Sequence, residues 1–448
     1  MSFKVGMVSL GCAKNQVDAE LMLAKLREAG FTITPETADV DIVIVNTCGF
    51  IEDAKKEAIE NILEFAQLKK EGRIKAIIIT GCLAERYREQ VAEEFPEADV
   101  VLGIGANADI AAVCRRIMEE GKAECSFPDK NQLPLNGNRI LTTPVYWAYL
   151  KIADGCDNCC TYCTIPLIRG HFRSRTMEDI VSEAQWLASH GTKEVVVIAQ
   201  DTTRYGEDIY GKLMLPELLN RLCGIDGLEW IRLMYCYPDR VTDELLNTIA
   251  AQSKILPYID IPLQHADRKI LKAMNRRGSR EELSALIQKI RAKLPNVVLR
   301  TTFITGFPGE GEEEFTSLAE FMKDVRFERL GCFAYSREED TKAAEMDEQV
   351  PEEIKLRRQE IIMTEQYRIM EEINQSCIGK KLRVLVEGYD GFIKCYFGRS
   401  YMDAPEVDGK IFFSAPDQKF QAGDFAQVMV TDVMEYDLLG EAIEQAGE

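Results

Sequence analysis

Three cysteines in CDNCCTYC, namely Cys156, Cys160 and Cys163, have the spacing C-x3-C-x2-C. Complete protein ligation of a [4Fe–4S] cube takes four thiolates, so three leave one iron open. An open, electron-rich iron can chelate amino and carboxylate groups and deliver an electron to a sulfonium, breaking a carbon–sulfur bond. The competing reading is zinc, because Cys156/Cys159 and Cys160/Cys163 form two abutting C-x2-C pairs. Zinc ribbons separate such pairs by about 15–20 residues, which lets two turns fold round one ion. No gap exists here, and Cys159 becomes a bystander or a stand-in ligand.

A second set lies upstream. Cys12, Cys48 and Cys82 stand in SLGCAKN, VNTCGF and TGCLAE, roughly 35 residues apart. Each directly follows a strand-like run. In an open parallel sheet the carboxyl ends of the strands share one edge, so three distant cysteines converge if their strands are neighbours. One buried cysteine would be an ordinary small apolar residue. Three at equivalent strand ends, each beside Gly or Thr, form a second three-thiolate set.

The elements that must position these residues are of the α/β class. Up to about residue 120, apolar runs (KVGMVSL, DIVIVNT, AIIIT) alternate with helical patterns (DAELMLAKLREAG, EDAKKEAIENILEFA, ERYREQVAEEF), the signature of parallel strands with crossover helices. Residues 121–141 read as a linker, since the stretch FPDKNQLPLNGNRILTT is polar and aperiodic. Residues 142–375 carry six strand-like runs, AYLKIA, EVVVIAQ, WIRLMYCY, YIDIPL, VVLRTTFIT and LGCFAYS, which predict an open (β/α)6 partial barrel. A charged helix follows, and residues 376–448 turn to short β-rich pieces that predict a small antiparallel β-barrel.

The cysteine motif, Tyr162 at the aromatic position before its last cysteine, and the partial barrel resemble the radical S-adenosylmethionine superfamily. With the upstream cysteines and the terminal barrel, of the TRAM type, nearly the whole chain resembles the methylthiotransferases of that superfamily. SLGCAKNQVDAE, VNTCGFIEDAKKEAI, GCLAERY and GRSYMDAPEVDG are similar to the branch that modifies a small-subunit ribosomal protein, the twelfth. Ala13 departs from that branch, which often has Pro there; turn stiffness changes and the ligand stays. The resemblance implies two [4Fe–4S] clusters, one on each cysteine set, and S-adenosylmethionine as both methyl donor and radical source. It implies a methylthio group added to the β-carbon of an aspartate, with cluster-borne rather than side-chain catalysis. An electron donor such as flavodoxin or ferredoxin is implied as well. The alternative within the same family is a transfer-RNA methylthiotransferase; a non-catalytic metal- or RNA-binding protein leaves two three-cysteine sets unexplained.

Further cofactor-binding candidates sit at predicted strand ends. Gln200 and Asp201 follow EVVVIA and would meet the methionine end or the substrate, or else form a solvated loop. Gln264 and His265 close YIDIPLQH and are placed at the ribose. Arg300 opens TTFITGFPGE, whose Gly306, Gly309 and Glu310 would let backbone approach the cofactor closely or simply form a tight turn. Arg169, Arg173 and Arg175 would meet carboxylates or solvent.

Charge and composition bound the rest. The net charge of −20 argues against unaided nucleic-acid binding, since phosphate contacts require a Lys/Arg surface. Residues 376–448 hold seven Lys/Arg against thirteen Asp/Glu, opposite in sign to a nucleic-acid groove. Nucleic acid is therefore not expected as substrate, and the acidic loop DAPEVDG, with Asp403, Glu406 and Asp408, would steer a basic ribosomal protein. MSFKVGMVSLG lacks the basic flank and apolar run of a secretory signal, and no stretch of about twenty apolar residues occurs, so a cytoplasmic protein without membrane contact is expected. Anaerobically reconstituted protein should hold about eight irons. Replacing Cys156, Cys160 and Cys163 together by Ala, or Cys12, Cys48 and Cys82 together, should each remove about half; full iron in either triple variant refutes the ligand assignment.

Overall fold

The computed structural model describes residues 2–121 and 123–444. Its amino-terminal part is a five-stranded sheet of β1 (Lys4–Ser9), β2 (Thr32–Thr34), β3 (Val40–Thr47), β4 (Ile74–Gly81) and β5 (Val100–Val101). The order is β2-β1-β3-β4-β5, and every pairing is parallel. Side chains alternate along each strand, so VDIVIVNT and KAIIIT feed two cores at once. Ile42, Ile44 and Ile78 pack with the helices Ala13–Glu28 and Ile110–Glu120, whereas Val43, Val45, Ile77 and Ile79 pack with Glu52–Lys70 and the short helices after β4.

The second sheet contains β6 (Trp147–Lys151), β9 (Glu194–Ile198), β10 (Trp230–Leu233), β11 (Ile255–Asp260), β12 (Val298–Thr305) and β13 (Arg329–Ala334); a two-stranded ribbon, β7 (Ala153–Asp154) with β8 (Arg173–Ser174), follows β6. The six main strands run parallel in the order β6-β9-β10-β11-β12-β13 without closing, the open six-unit arrangement expected. One face, with Leu150, Val195, Val197, Ile231, Leu233, Ile259 and Leu299, packs on the surrounding helices. The other face carries Trp147, Tyr149, Lys151, Glu194, Arg232, Tyr258, Asp260 and Arg300. That alternation puts charged groups into the barrel's interior, where each needs a partner.

Much of that partnership comes from the carboxyl-terminal barrel. β14 (Lys381–Asp390), β15 (Cys395–Arg399), β16 (Ile411–Ser414), β17 (Phe425–Met434) and β18 (Asp437–Ala442) close on themselves. Four pairings are antiparallel, but β16 and β18 pair in parallel, a departure from the all-antiparallel expectation. Glu194 on β9 lies 2.7 Å from both Arg232 and Arg399, and Arg232 donates to the carbonyls of Tyr401 and Ser400.

The loop DAPEVDG faces solvent only at its tip, Glu406 and Val407, so of the three carboxylates expected to steer a partner two, Asp403 and Asp408, are turned inside. Asp403 is 3% exposed and accepts from Arg329, Asp408 accepts from the Tyr258 hydroxyl at 2.6 Å, and Glu406 accepts from the Tyr149 hydroxyl at 2.8 Å. The polar inner face of the open barrel consumes these carboxylates. Removing residues 376–448 would bare Trp147, Trp230 and Tyr258 together with Glu194 and Arg232.

The segment 121–141 has one short 3-10 turn, Lys130–Gln132, and is otherwise irregular. Its Arg139 is 3% exposed and binds Glu20 of the amino-terminal part and Glu183 of the core. Among the described residues no helix is long and apolar enough to cross a membrane. Glu194→Ala should leave two buried guanidinium groups without their shared anion and cost about 3–5 kcal/mol, the range for breaking a buried pair; urea denaturation of the variant measures it, and a loss within error of zero would show the contact to be incidental.

Candidate functional site

The upstream cysteines occupy the carboxyl edge of three adjacent strands, β1, β3 and β4. Cys12 caps the helix Ala13–Glu28, Cys48 directly follows β3, and Cys82 begins the helix Cys82–Tyr87. Two glycines let the turns close: Gly11 has φ +89, and a Cβ on it would sit 2.7 Å from the Cys48 sulfur; Gly81 has φ +93, and its Cβ would meet the Thr47 carbonyl at 2.5 Å. The Asn15 amide donates to the carbonyls of Leu10, Asn46 and Thr47, tying the first two turns together.

The second set lies on the loop between β7 and the helix Ile165–Arg169. The loop is anchored by neighbours: Thr161 N–H donates to Met274 O, the Asn275 amide to the Cys159 carbonyl, and the Asn158 amide to Asp201. Cys159 is exposed with φ +51, the odd residue out of the four. Ile165 N–H points at the Cys163 sulfur at 3.4 Å, and Arg276 reaches the Cys160 sulfur at 3.7 Å. Tyr162 stacks edge-on to Phe307, 6.5 Å between ring centroids.

Two side chains with chain-distant origins join the sets. Asp18, six residues past Cys12, and Arg169, six past Cys163, bind each other; Lys151 and Asp154 complete a group of two cations and two anions, all at most 3% exposed. Arg169 also donates to the Cys82 sulfur at 3.4 Å and to Asn15. Burial alone would raise the Asp154 carboxyl, but Lys151 and Arg169 overcome it and hold the group well below the usual carboxylate range. Asp18, Lys151, Asp154 and Arg276 carried no signal in the sequence beyond their nearness to cysteines or strand ends; only the packing of the two sheets brings them together.

Of the remaining predicted residues, several have other employment. His265 is fully buried, its Nε2 3.2 Å from Glu310 and its Nδ1 accepting from Asp267 N–H; Glu310 also takes Gly306 N–H and Arg358. Both ring nitrogens of His265 are thereby occupied, so of the pair placed at the ribose His265 has no free polar atom to offer it. Gly306 approaches Lys355 of the helix Glu352–Gln375, whose Cγ would lie 2.2 Å from an added Cβ, and Gly309 donates to the Glu348 carbonyl. The close approach at Gly306 serves packing against that helix. Arg300 pairs with Asp260 at 2.9 Å, and Asp201 binds Asn158, Thr203 and Arg240 at 1% exposure, so it braces the cysteine loop. Arg173 meets backbone carbonyls, whereas Arg169 and Arg175 meet carboxylates. Gln200 and Gln264 differ: each has a buried Oε1 without a hydrogen-bond partner, and Gln264 is held at φ +71. Two orphaned acceptors at the strand-end edge suit a ligand that brings N–H or O–H donors.

Each candidate set is made of thiols alone, the donor type that iron–sulfur clusters take. Among the described residues no group of three His, Cys, Asp or Glu is arranged to hold a single metal ion. Burial pushes the Cys82 thiol up to about 12 and Cys156 to about 11, and raises Cys48 and Cys163 also; Arg169 pulls Cys48 and Cys82 down, and Arg276 pulls Cys163 down. Buried thiols next to a fixed guanidinium are well placed to become cluster thiolates.

Residues 4–103 match the uncharacterized protein family UPF0004, residues 150–322 the radical SAM superfamily and residues 378–443 the TRAM domain. The fold is similar to that of the radical S-adenosylmethionine methyltransferase TsrM from Kitasatospora setae, with TM-score 0.56 at 14% identity over 87% of this chain and 79% of that one. Fold and core domain thus define a radical SAM protein. Full-length relatives are closer in sequence. The ribosomal protein uS12 methylthiotransferase RimO of Thermoanaerobacter sp. (strain X514) is 51% identical, covering 98% of this chain and 99% of the relative. Those of Caldanaerobacter subterraneus subsp. tengcongensis and Lachnoclostridium phytofermentans are 52% and 49% identical, each over 98% of this chain and nearly all of their own length. The chain belongs to the uS12 methylthiotransferase family.

A raised thiol pKa means that the fold holds protons the unfolded chain would release. For Cys82 that contribution to stability is complete below its ordinary value of 9.0 and is lost as pH climbs towards about 12. Metal-free protein should therefore show a denaturation midpoint that falls above about pH 9, and Cys82→Ser should flatten the fall; a midpoint indifferent to pH in that range contradicts the buried-thiol picture.

Proposed function

We propose that this chain transfers a methylthio group to the β-carbon of an aspartate of ribosomal protein uS12. The observation that supports it most is the joining of two three-thiolate sets through Asp18 and Arg169 at the facing edges of two sheets, in a chain about half identical to uS12 methylthiotransferases along its length. The reading assigns one [4Fe–4S] cluster to Cys12, Cys48 and Cys82 and another to Cys156, Cys160 and Cys163. Bound there with S-adenosylmethionine, the clusters supply reductive carbon–sulfur cleavage, abstraction of an unactivated hydrogen and a sulfur that can be methylated and donated.

The chain's own residues bind and orient. Arg169 and Arg276 lend positive charge to sulfur on either side, which favours the thiolate state each cluster requires. Asn158, Asp201 and Asn275 hold the cysteine loop in one shape, which fixes where its three thiols lie. Gln200 and Gln264 offer their free Oε1 atoms to the amino or hydroxyl groups of S-adenosylmethionine. The buried Asp18–Arg169 contact fixes the separation between the two centres, which a transfer between them needs to be constant.

A flavodoxin- or ferredoxin-type donor is proposed as the reductant, and the cytoplasm as the compartment. Offered uS12 and transfer RNA together with reductant, the reconstituted enzyme should modify the protein alone, as read by mass spectrometry of peptides and nucleosides. Modified transfer RNA beside untouched uS12 would transfer the assignment to the nucleic-acid branch. Arg169→Met should lower modification at least tenfold, the scale of a misplaced reacting centre.

A further inference from the structure

Most cations near the facing edges of the two sheets are matched. Arg169 and Lys151 share Asp18 and Asp154, Arg240 has Asp201, Arg300 has Asp260, and Arg276 is taken by the Pro262 carbonyl and the Cys160 sulfur. Lys14 is the exception. It is 6% exposed, yet among the described residues its ammonium has neither a salt bridge nor a hydrogen-bond acceptor; it rests on the face of Tyr235, 3.0 Å from the ring centroid. A cation–π contact is worth less than the hydration a buried ammonium gives up, so this cation is held in a state that a carboxylate would improve.

Its position says which carboxylate. Lys14 lies two residues past Cys12 on the helix Ala13–Glu28, whose Ala13, Val17 and Leu21 pack against the interior of the open barrel. Tyr235 follows β10 and is fixed by its own backbone: N–H donates to Asp260 and the carbonyl accepts from Thr202. Two residues further, Tyr237 carries the Arg276 guanidinium on its ring at 4.4 Å, and that same arginine touches Cys160. The Lys14 ammonium is thus bracketed by one residue set belonging to Cys12 and another belonging to Cys160. The thiols with cationic contacts, Cys82 and Cys160, are served by Arg169 and Arg276 and not by Lys14.

We propose that Lys14 binds the side-chain carboxylate of the substrate aspartate and so presents its β-carbon between the two centres. This rests on the function proposed above. A carboxylate one bond from the reacting carbon is the natural handle for that placement, and exchanging the tyrosine face for a charge-assisted hydrogen bond gives preference for aspartate over its neutral isostere.

The test uses the reconstituted full-length enzyme and a short uS12 peptide carrying Asp or Asn at the modified position. Wild-type enzyme should bind the Asp peptide about 10- to 100-fold more tightly than the Asn peptide, the scale of a hydrogen bond to a charged group. Lys14→Met should erase that difference while iron content and affinity for S-adenosylmethionine stay at the wild-type level, and Lys14→Arg should restore part of it. An unchanged Asp preference in a folded, iron-loaded Lys14→Met enzyme overturns the proposal. So does weaker binding of S-adenosylmethionine, or iron lost from the Cys12 set, with the peptide preference intact, since either would make Lys14 a cofactor residue. If wild-type enzyme modifies no aspartate at all, the functional reading itself falls; if it modifies the Asp peptide and only the Lys14 variants behave like wild type, that reading stands and this inference alone is lost.

Discussion

The arrangement depends on one buried contact, the pairing of Asp18, on the helix Ala13–Glu28 of the amino-terminal part, with Arg169 and Lys151 from the core. Four charges removed from water are costly unless each is matched, and here two carboxylates face two cations with Asn15, Gln200 and Gly155 completing the hydrogen bonding. Such a group contributes less to net stability than to uniqueness, because any slippage between the sheets strands an ion in the interior. The lock therefore sets the distance between the two cysteine sets, and Arg169 extends it directly to the Cys82 sulfur.

A second consequence of the parallel architecture lies inside the core barrel. An open six-stranded sheet leaves an inner face with no helices of its own, and this sequence fills that face with Glu194, Arg232, Asp260 and Arg300 among aromatic rings. The terminal barrel satisfies many of them by inserting Arg399, the carbonyls of Ser400 and Tyr401, and the loop carboxylates Asp403, Glu406 and Asp408. What composition presents as an acidic surface is, at Asp403 and Asp408, an internal counter-charge. The barrel is a structural partner of the core whatever else it contacts.

Both cysteine sets were legible because their signals are local. A C-x3-C-x2-C spacing is a property of eight consecutive residues, and cysteines directly after apolar runs can be assigned to strand ends without knowing which strands touch. The parallel sheets, the open barrel and the terminal barrel were legible for a related reason: strands buried on both faces read as continuous apolar runs. The polar residues were not. His265 and Gln264 are adjacent in sequence and both follow β11 in the same loop, yet one is consumed by Glu310 and the other keeps a free carbonyl oxygen. Nothing in YIDIPLQH distinguishes them, since the difference comes from a residue 45 positions away.

The sequence alone thus determined the fold class and pointed to the two cysteine sets, because spacing and hydrophobic period are short-range properties of the chain. Tertiary structure alone decided which charges are counter-ions and which remain available. Asp403 and Asp408 turned inward, Arg169 turned from a loop-end cation into the link between the two sets, and Lys14 was left facing a tyrosine. Each outcome depends on desolvation and on partners brought together from hundreds of residues apart, quantities that exist only once the sheets have packed.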